Sequence, residues 1–204
     1  MLLSESYLAH PIGEYLRAHH VGEIQPEWTI PGLGTGRPGR PKQLDYALLN
    51  RKGTAIQAAI EAKWVRDTAT EKQYIVDDLL RLERIRDDVT GQGVFRYFLV
   101  AGRSAHFGPK FLRLRAQIGG HWQQFLPSLL ASGSSADVKI DVFSSTGRYR
   151  ELFRKFSTGY QVKLPKTFST RLVALLQGGT VTVGVWRILS SNNRTEFDIA
   201  ASTP

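Results

Sequence analysis

The stretch QLDYALLNRKGTAIQAAIEAKWV, residues 43–65, constrains the fold of this chain more than any other. It is two strand-like apolar runs joined by a short Gly-bearing turn, Asn50-Arg51-Lys52-Gly53. Side chains alternate along a strand, so Glu61 and Lys63 point one way and Ala62 the other. Ile56, Ala58, Ile60 and Ala62 make the apolar partner face, and Asp45 sits in the first run. Two charges on so apolar a strand are costly unless something compensates them. A divalent cation shared by Asp45 and Glu61 would do so, with the Lys63 ammonium beside a phosphate.

A bare Glu-x-Lys tripeptide arises by chance on the order of once in a chain of this length. The sequence holds a rival, Asp137-Val138-Lys139, after a Gly/Ser-rich loop. Context separates the two: an apolar run ends on Glu61-Ala62-Lys63, and an acid stands upstream in a neighbouring run. The alternative is a surface salt bridge on an exposed sheet face.

Asp45 followed by Glu61-Ala62-Lys63 resembles the signature of the PD-(D/E)XK phosphodiesterases, the restriction-endonuclease-like nucleases. The resemblance extends over residues 1–105, and it departs from the signature at Leu44, where the family has Pro. It implies that Asp45 and Glu61 bind Mg2+ (or Mn2+) and that Lys63 positions the attacking water or stabilises the phosphate charge. It also implies an acidic ligand from the first helix. Glu5 shares the face of Leu8, Ile12 and Leu16 and is the better candidate, whereas Glu14 lies opposite and faces water. A plain N-terminal acid favouring the helix dipole is the alternative for Glu5.

Periodicity independently gives the order of elements. Residues 4–19 read as an amphipathic helix with Leu8, Ile12, Tyr15 and Leu16 on one side, although Pro11 is an objection. Residues 22–30 read as a strand that Pro26 demotes to an edge. The Gly/Pro-rich loop PGLGTGRPGRPK follows. Its formal GxGxxG leads into no helix, so Arg37, Arg40 and Lys42 are candidates for nucleic-acid backbone contact rather than for dinucleotide binding.

Residues 68–89 read as a helix with Tyr74, Ile75, Leu79, Leu82, Ile85 and Val89 on one face. Asp78 falls within that face and Arg81 three residues on, either as an ion pair or as supports of the metal site. Residues 94–101 read as a covered central strand, apolar on both faces. The second half suggests helices over 107–118 and 121–131 and strands over 138–143 and 180–189. From Gly147 onward, Tyr149, Phe153, Phe156 and Tyr160 alternate with basic residues, as either a stacking surface or core with solvated neighbours.

The expected architecture is therefore α/β: a restriction-endonuclease-like core (α-β-β-β-α-β, mixed central sheet flanked by helices) with a C-terminal α/β extension. One domain spans residues 1–204, the core over 1–105 and the extension over 106–204. With 42% hydrophobic residues the chain can bury one core, and it has no run long enough for a membrane helix. The absence of cysteine fits a cytoplasmic setting, and MLLSESYLAHP is not a secretory signal. None of the five histidines has a metal-binding spacing, and His19-His20 read as a solvated helix end. A net charge of +9 favours a polyanionic partner. The expected activity is divalent-metal-dependent hydrolysis of nucleic acid, DNA in preference to RNA, with a homodimer left open. The alternatives are a catalytically idle nucleic-acid-binding module of the same fold and a structural protein that meets an acidic partner.

Overall fold

The computed structural model describes residues 6–30, 43–65, 71–85, 93–107, 136–139, 147–189, 195–197 and 199. Helix α1 (Ser6–His19) leads into an antiparallel meander of β1 (Ile24–Thr29), β2 (Gln43–Leu49) and β3 (Ile56–Val65). Helix α2 (Glu71–Arg84) returns the chain so that β4 (Phe95–Arg103) runs parallel to β3. The order helix, three strands, helix, strand is the one that periodicity gave.

After β4 come the short α3 (Ser104–Phe107), β5 (Ala136–Lys139) and α4 (Gly147–Tyr160). Strands β6 (Leu164–Pro165), β7 (Thr167–Gly178), β8 (Val181–Leu189) and β9 (Glu196–Phe197) follow. The main sheet has seven strands in the order β1-β2-β3-β4-β8-β7-β5, and β6 pairs with β9 apart from it. The fold is thus α/β, a mixed sheet flanked by helices. Pro26 lies on β1 at the sheet edge, where a residue without an N–H is tolerated. Among the described residues, no helix is long and apolar enough to cross a membrane.

The turn after β2 forms as its residues require. Asn50 Oδ1 accepts the backbone N–H groups of Lys52 and Thr54 at 3.2 and 3.0 Å, and Gly53 takes a φ of 66°. That left-handed conformation is open to glycine and disfavoured for other residues. Helix α2 is the centre of the core. Ile75, Val76, Leu79, Leu80 and Leu82 are all buried, in one cluster with Phe98, Val100 and Trp186 of the sheet and Phe153 and Phe156 of α4. Tyr160 of α4 donates to Asp77 Oδ2 at 3.1 Å, and Arg84 donates to the Lys163 carbonyl at 2.9 Å.

Several sequence expectations need correction. Tyr74 and Tyr15, assigned to apolar faces, are 60% and 64% exposed; Tyr15 stacks on His19 instead. His20 is no mere solvated helix end, since its ring donates to the Leu49 carbonyl at 2.7 Å and ties the end of α1 to β2. Phe153 and Phe156 are buried in the core, so they form no stacking surface. Conversely, β4 is not covered along its whole length: Phe95 is 45% exposed. Strand β7 was not foreseen. A bulge between Leu172 and Ala174 breaks its two-residue period, and its second half is largely exposed, so no clean alternation marks it.

The helices expected over 107–118 and 121–131 lie, beyond Phe107, outside the described residues. So do the strand expected over 138–143 beyond Lys139, the basic loop, Val89 and Tyr149's side chain.

Candidate active site

The β2–β3 ladder runs from Leu49↔Ile56 to Tyr46↔Ile60. Beyond it a side chain takes over from the backbone: the Ala62 N–H donates to Asp45 Oδ2 at 2.6 Å. Ala62 stands between Glu61 and Lys63, so this bond fixes the Asp45 carboxylate close to both. The β1–β2 ladder pairs Pro26↔Tyr46 and Trp28↔Leu44 and skips Glu27 and Asp45 between them. Glu27 holds a φ of 50°, in the sparsely populated left-handed region. Asp45 therefore sits where regular pairing lapses on both sides of β2.

Glu61 and Lys63 face α2. Glu61 is only 5% exposed, which rules out the surface salt bridge considered from sequence. Its Oε1 accepts from Arg81 Nη2 at 3.0 Å, and the same nitrogen donates to Asp78. Arg81 Nη1 donates to the Gln43 carbonyl at 2.9 Å, so one guanidinium joins α2 to β2 and β3. Lys63 Nζ lies 3.0 Å from Asp78 Oδ2. Asp77 Oδ2 stands 3.8 Å from Arg81 Nε and accepts the Tyr160 hydroxyl.

The electrostatics follow from this crowding. Burial raises the Glu61 carboxyl well above its ordinary pKa, and Asp78 raises it further. Arg81 pulls it down, Asp45 adds to the rise and Lys63 opposes it. Four carboxylates, Asp45, Glu61, Asp77 and Asp78, thus meet two cations, Lys63 and Arg81, in one low-dielectric cluster. Burial also raises the Tyr160 phenol, helped by Asp77, so it stays a protonated donor at neutral pH.

Asp45 and Glu61 are the residues that could hold a divalent ion. Glu61 Oε2 is buried and accepts no hydrogen bond among the described residues. Among the described residues, no three acidic or histidine side chains form a ready-made cage. Magnesium does not require one, because it is commonly held by one or two carboxylates, with waters and substrate phosphates completing its shell. The donor set therefore fits the ion.

Glu5, Arg37, Arg40 and Lys42 lie outside the described residues. Glu14 faces solvent, as expected, and lies 3.3 Å from His10. The rival Asp137-Val138-Lys139 falls on β5, at the far edge of the sheet. Asp78 and Arg81, weighed from sequence as an ion pair or as supports of a metal site, form the ion pair, and each also reaches a charged residue of β3. Asp77 and Tyr160 were not assigned to the site. The adjacent acids with an Arg three and four residues on were a readable signal for Asp77. Tyr160, 83 residues away in sequence, carried none. Compared with known proteins, the chain matches no family model, no curated protein and no solved structure.

Proposed function

We propose that this chain is a divalent-metal-dependent nuclease of the restriction-endonuclease-like kind, hydrolysing phosphodiester bonds of nucleic acid, DNA in preference to RNA. The observation that carries the reading is the placement of Asp45, Glu61 and Lys63 about one end of the β2–β3 ladder, with Glu61 Oε2 buried and unsatisfied. The order of the first six elements and the parallel pairing of β3 with β4 support the superfamily assignment.

In this reading Asp45 and Glu61 would hold magnesium or manganese, which would supply Lewis-acid polarisation of the phosphate. Lys63 holds the attacking water or the developing phosphate charge, and Asp78 orients its ammonium. Arg81 braces Glu61 from α2, and the Ala62 N–H braces Asp45.

A second reading has its own support: Arg81 occupies one oxygen of Glu61, and Asp78 already pairs Lys63. A site so neutralised from within suits a catalytically idle nucleic-acid-binding module. Incubating the protein with supercoiled, linear and single-stranded DNA, with and without Mg2+ or Mn2+, separates the two. Metal-dependent cleavage that Asp45→Asn and Glu61→Gln each abolish is expected of the nuclease. DNA binding without cleavage favours the idle module, and cleavage at wild-type rate in either variant overturns the site.

A further inference from the structure

Across the sheet from α2, the opposite face carries a second alignment of side chains that the proposed chemistry leaves unused. On β4, Phe95 and Tyr97 point the same way, their ring centroids 6.5 Å apart and their planes within 14° of parallel. Exposure of 45% for Phe95 is unexpected on the fourth of seven strands. Arg187 of β8 lies opposite Tyr97, and its guanidinium carbon stands 4.6 Å from the centre of the Phe95 ring.

One strand further on, β7 sets Arg171 directly opposite Arg187. Like charges opposite one another on neighbouring strands repel, and among the described residues no carboxylate pairs with either. Beside Phe95 opens a hollow of about 440 Å³ whose lining includes His20, Asn50, Gln57 and Tyr97. Helix α1 lies over the adjoining part of this face, where Ile12 and Leu16 line a second hollow with Ile60, Leu99 and Tyr97.

These features match one chemistry. The exposed Phe95 ring and the half-buried Tyr97 ring beside it offer flat apolar faces, an arginine plane extends them, and a repelling arginine pair calls for an anion. Nucleic-acid single strands present both unpaired base faces and phosphates, whereas duplex bases are already stacked on each other. A net charge of +9 points to the same polyanion. We propose that this sheet face binds single-stranded nucleic acid, with bases stacked on Phe95 and Tyr97, phosphates on Arg171 and Arg187, and a base received in the adjoining hollow.

The site is tested by fluorescence anisotropy with a labelled oligothymidylate of about 15 nucleotides, a length suited to one binding domain. A duplex of equal length is the comparison. Working in EDTA makes the result independent of cleavage, so this proposal and the nuclease reading can fail separately. The single strand should bind more tightly than the duplex. Phe95→Ala should weaken it about tenfold, and Phe95→Leu should weaken it similarly, because the ring rather than apolar area does the stacking. Replacing Arg171 and Arg187 together by Ala should make the slope of log affinity against log salt shallower by about 1.4, two phosphate contacts on a single strand.

Crosslinking of the unaltered protein to a 4-thiothymidine oligonucleotide should place adducts on β4 and β8. Wild-type affinity in Phe95→Leu would overturn the proposal, as would adducts confined to other elements. Binding of the patch to phosphatidylserine vesicles without affinity for the oligonucleotide would overturn it as well.

Discussion

Glu61 concentrates the physics of the candidate site in one carboxyl group. Without a divalent ion its raised pKa makes the folded chain hold a proton that the unfolded chain releases. Stability should therefore fall as pH rises from the ordinary glutamate range through the folded pKa, by at most about 1.4 kcal/mol per pH unit. Urea denaturation of the metal-free protein across that range checks this, and Glu61→Gln should flatten the profile. An equally steep profile in the variant would assign the dependence elsewhere.

Arg81 is the counterpart. It is the cation shared by Glu61 and Asp78, and both of those are buried. Removing one partner of a buried charge network costs about 3–5 kcal/mol, since the remaining charges lose their compensation. Arg81→Met should lose that much stability at neutral pH, and added Mg2+ should restore part of it if Asp45 and Glu61 bind the ion. A small loss by urea denaturation, unaffected by Mg2+, would mean that Arg81 does not hold the cluster together.

At the scale of elements, β8 depends on one small residue. A Cβ at Gly184 would lie 2.4 Å from the Trp186 ring and 3.0 Å from Phe107. Trp186 and Phe107 are fully buried and stacked, so neither ring has room to yield. Gly184→Ala should cost about 1–3 kcal/mol, the usual range for overfilling a packed core, and lower the melting temperature accordingly. A melting temperature equal to that of the parent would show the ring pair to be looser than its burial indicates. Helix α2 is held in turn by its charged residues as well as by its apolar ones. Arg96 of β4 donates to the Glu83 carbonyl at 3.0 Å, near the C-terminus of α2, where a cation is favoured by the helix dipole.

For the whole molecule, the surplus of nine positive charges sets long-range behaviour. Each phosphate contact on duplex DNA contributes about −0.9 to the slope of log affinity against log salt. On the proposed nuclease reading, replacing Arg37, Arg40 and Lys42 together should make that slope shallower and weaken all duplex sequences alike, measured in calcium to limit cleavage. An unchanged slope would assign the loop to solvated surface and direct attention to the basic residues after Arg148. Among the described residues the apolar side chains of α2, the sheet and α4 share one core cluster, and Tyr160 of α4 is tied to Asp77 of α2.

Local sequence was enough to place α1, the β1–β2–β3 meander, α2, β4 and β8, because each has a turn signal or a period that neighbouring residues set among themselves. The same locality brought out Asp45, Glu61 and Lys63, since an antiparallel pair joined by a short turn fixes which residues come near one another. It could not reveal that Arg81 also reaches Glu61, or that Tyr160 closes on Asp77, because those contacts span 20 and 83 residues of sequence and depend on how the helices pack. Nor could it separate the aromatics of α4, buried against α2, from Phe95, left open on the sheet. Apolar and aromatic residues read alike in sequence. Which of them meets another layer and which meets water is decided only when the helices have taken their places on the sheet.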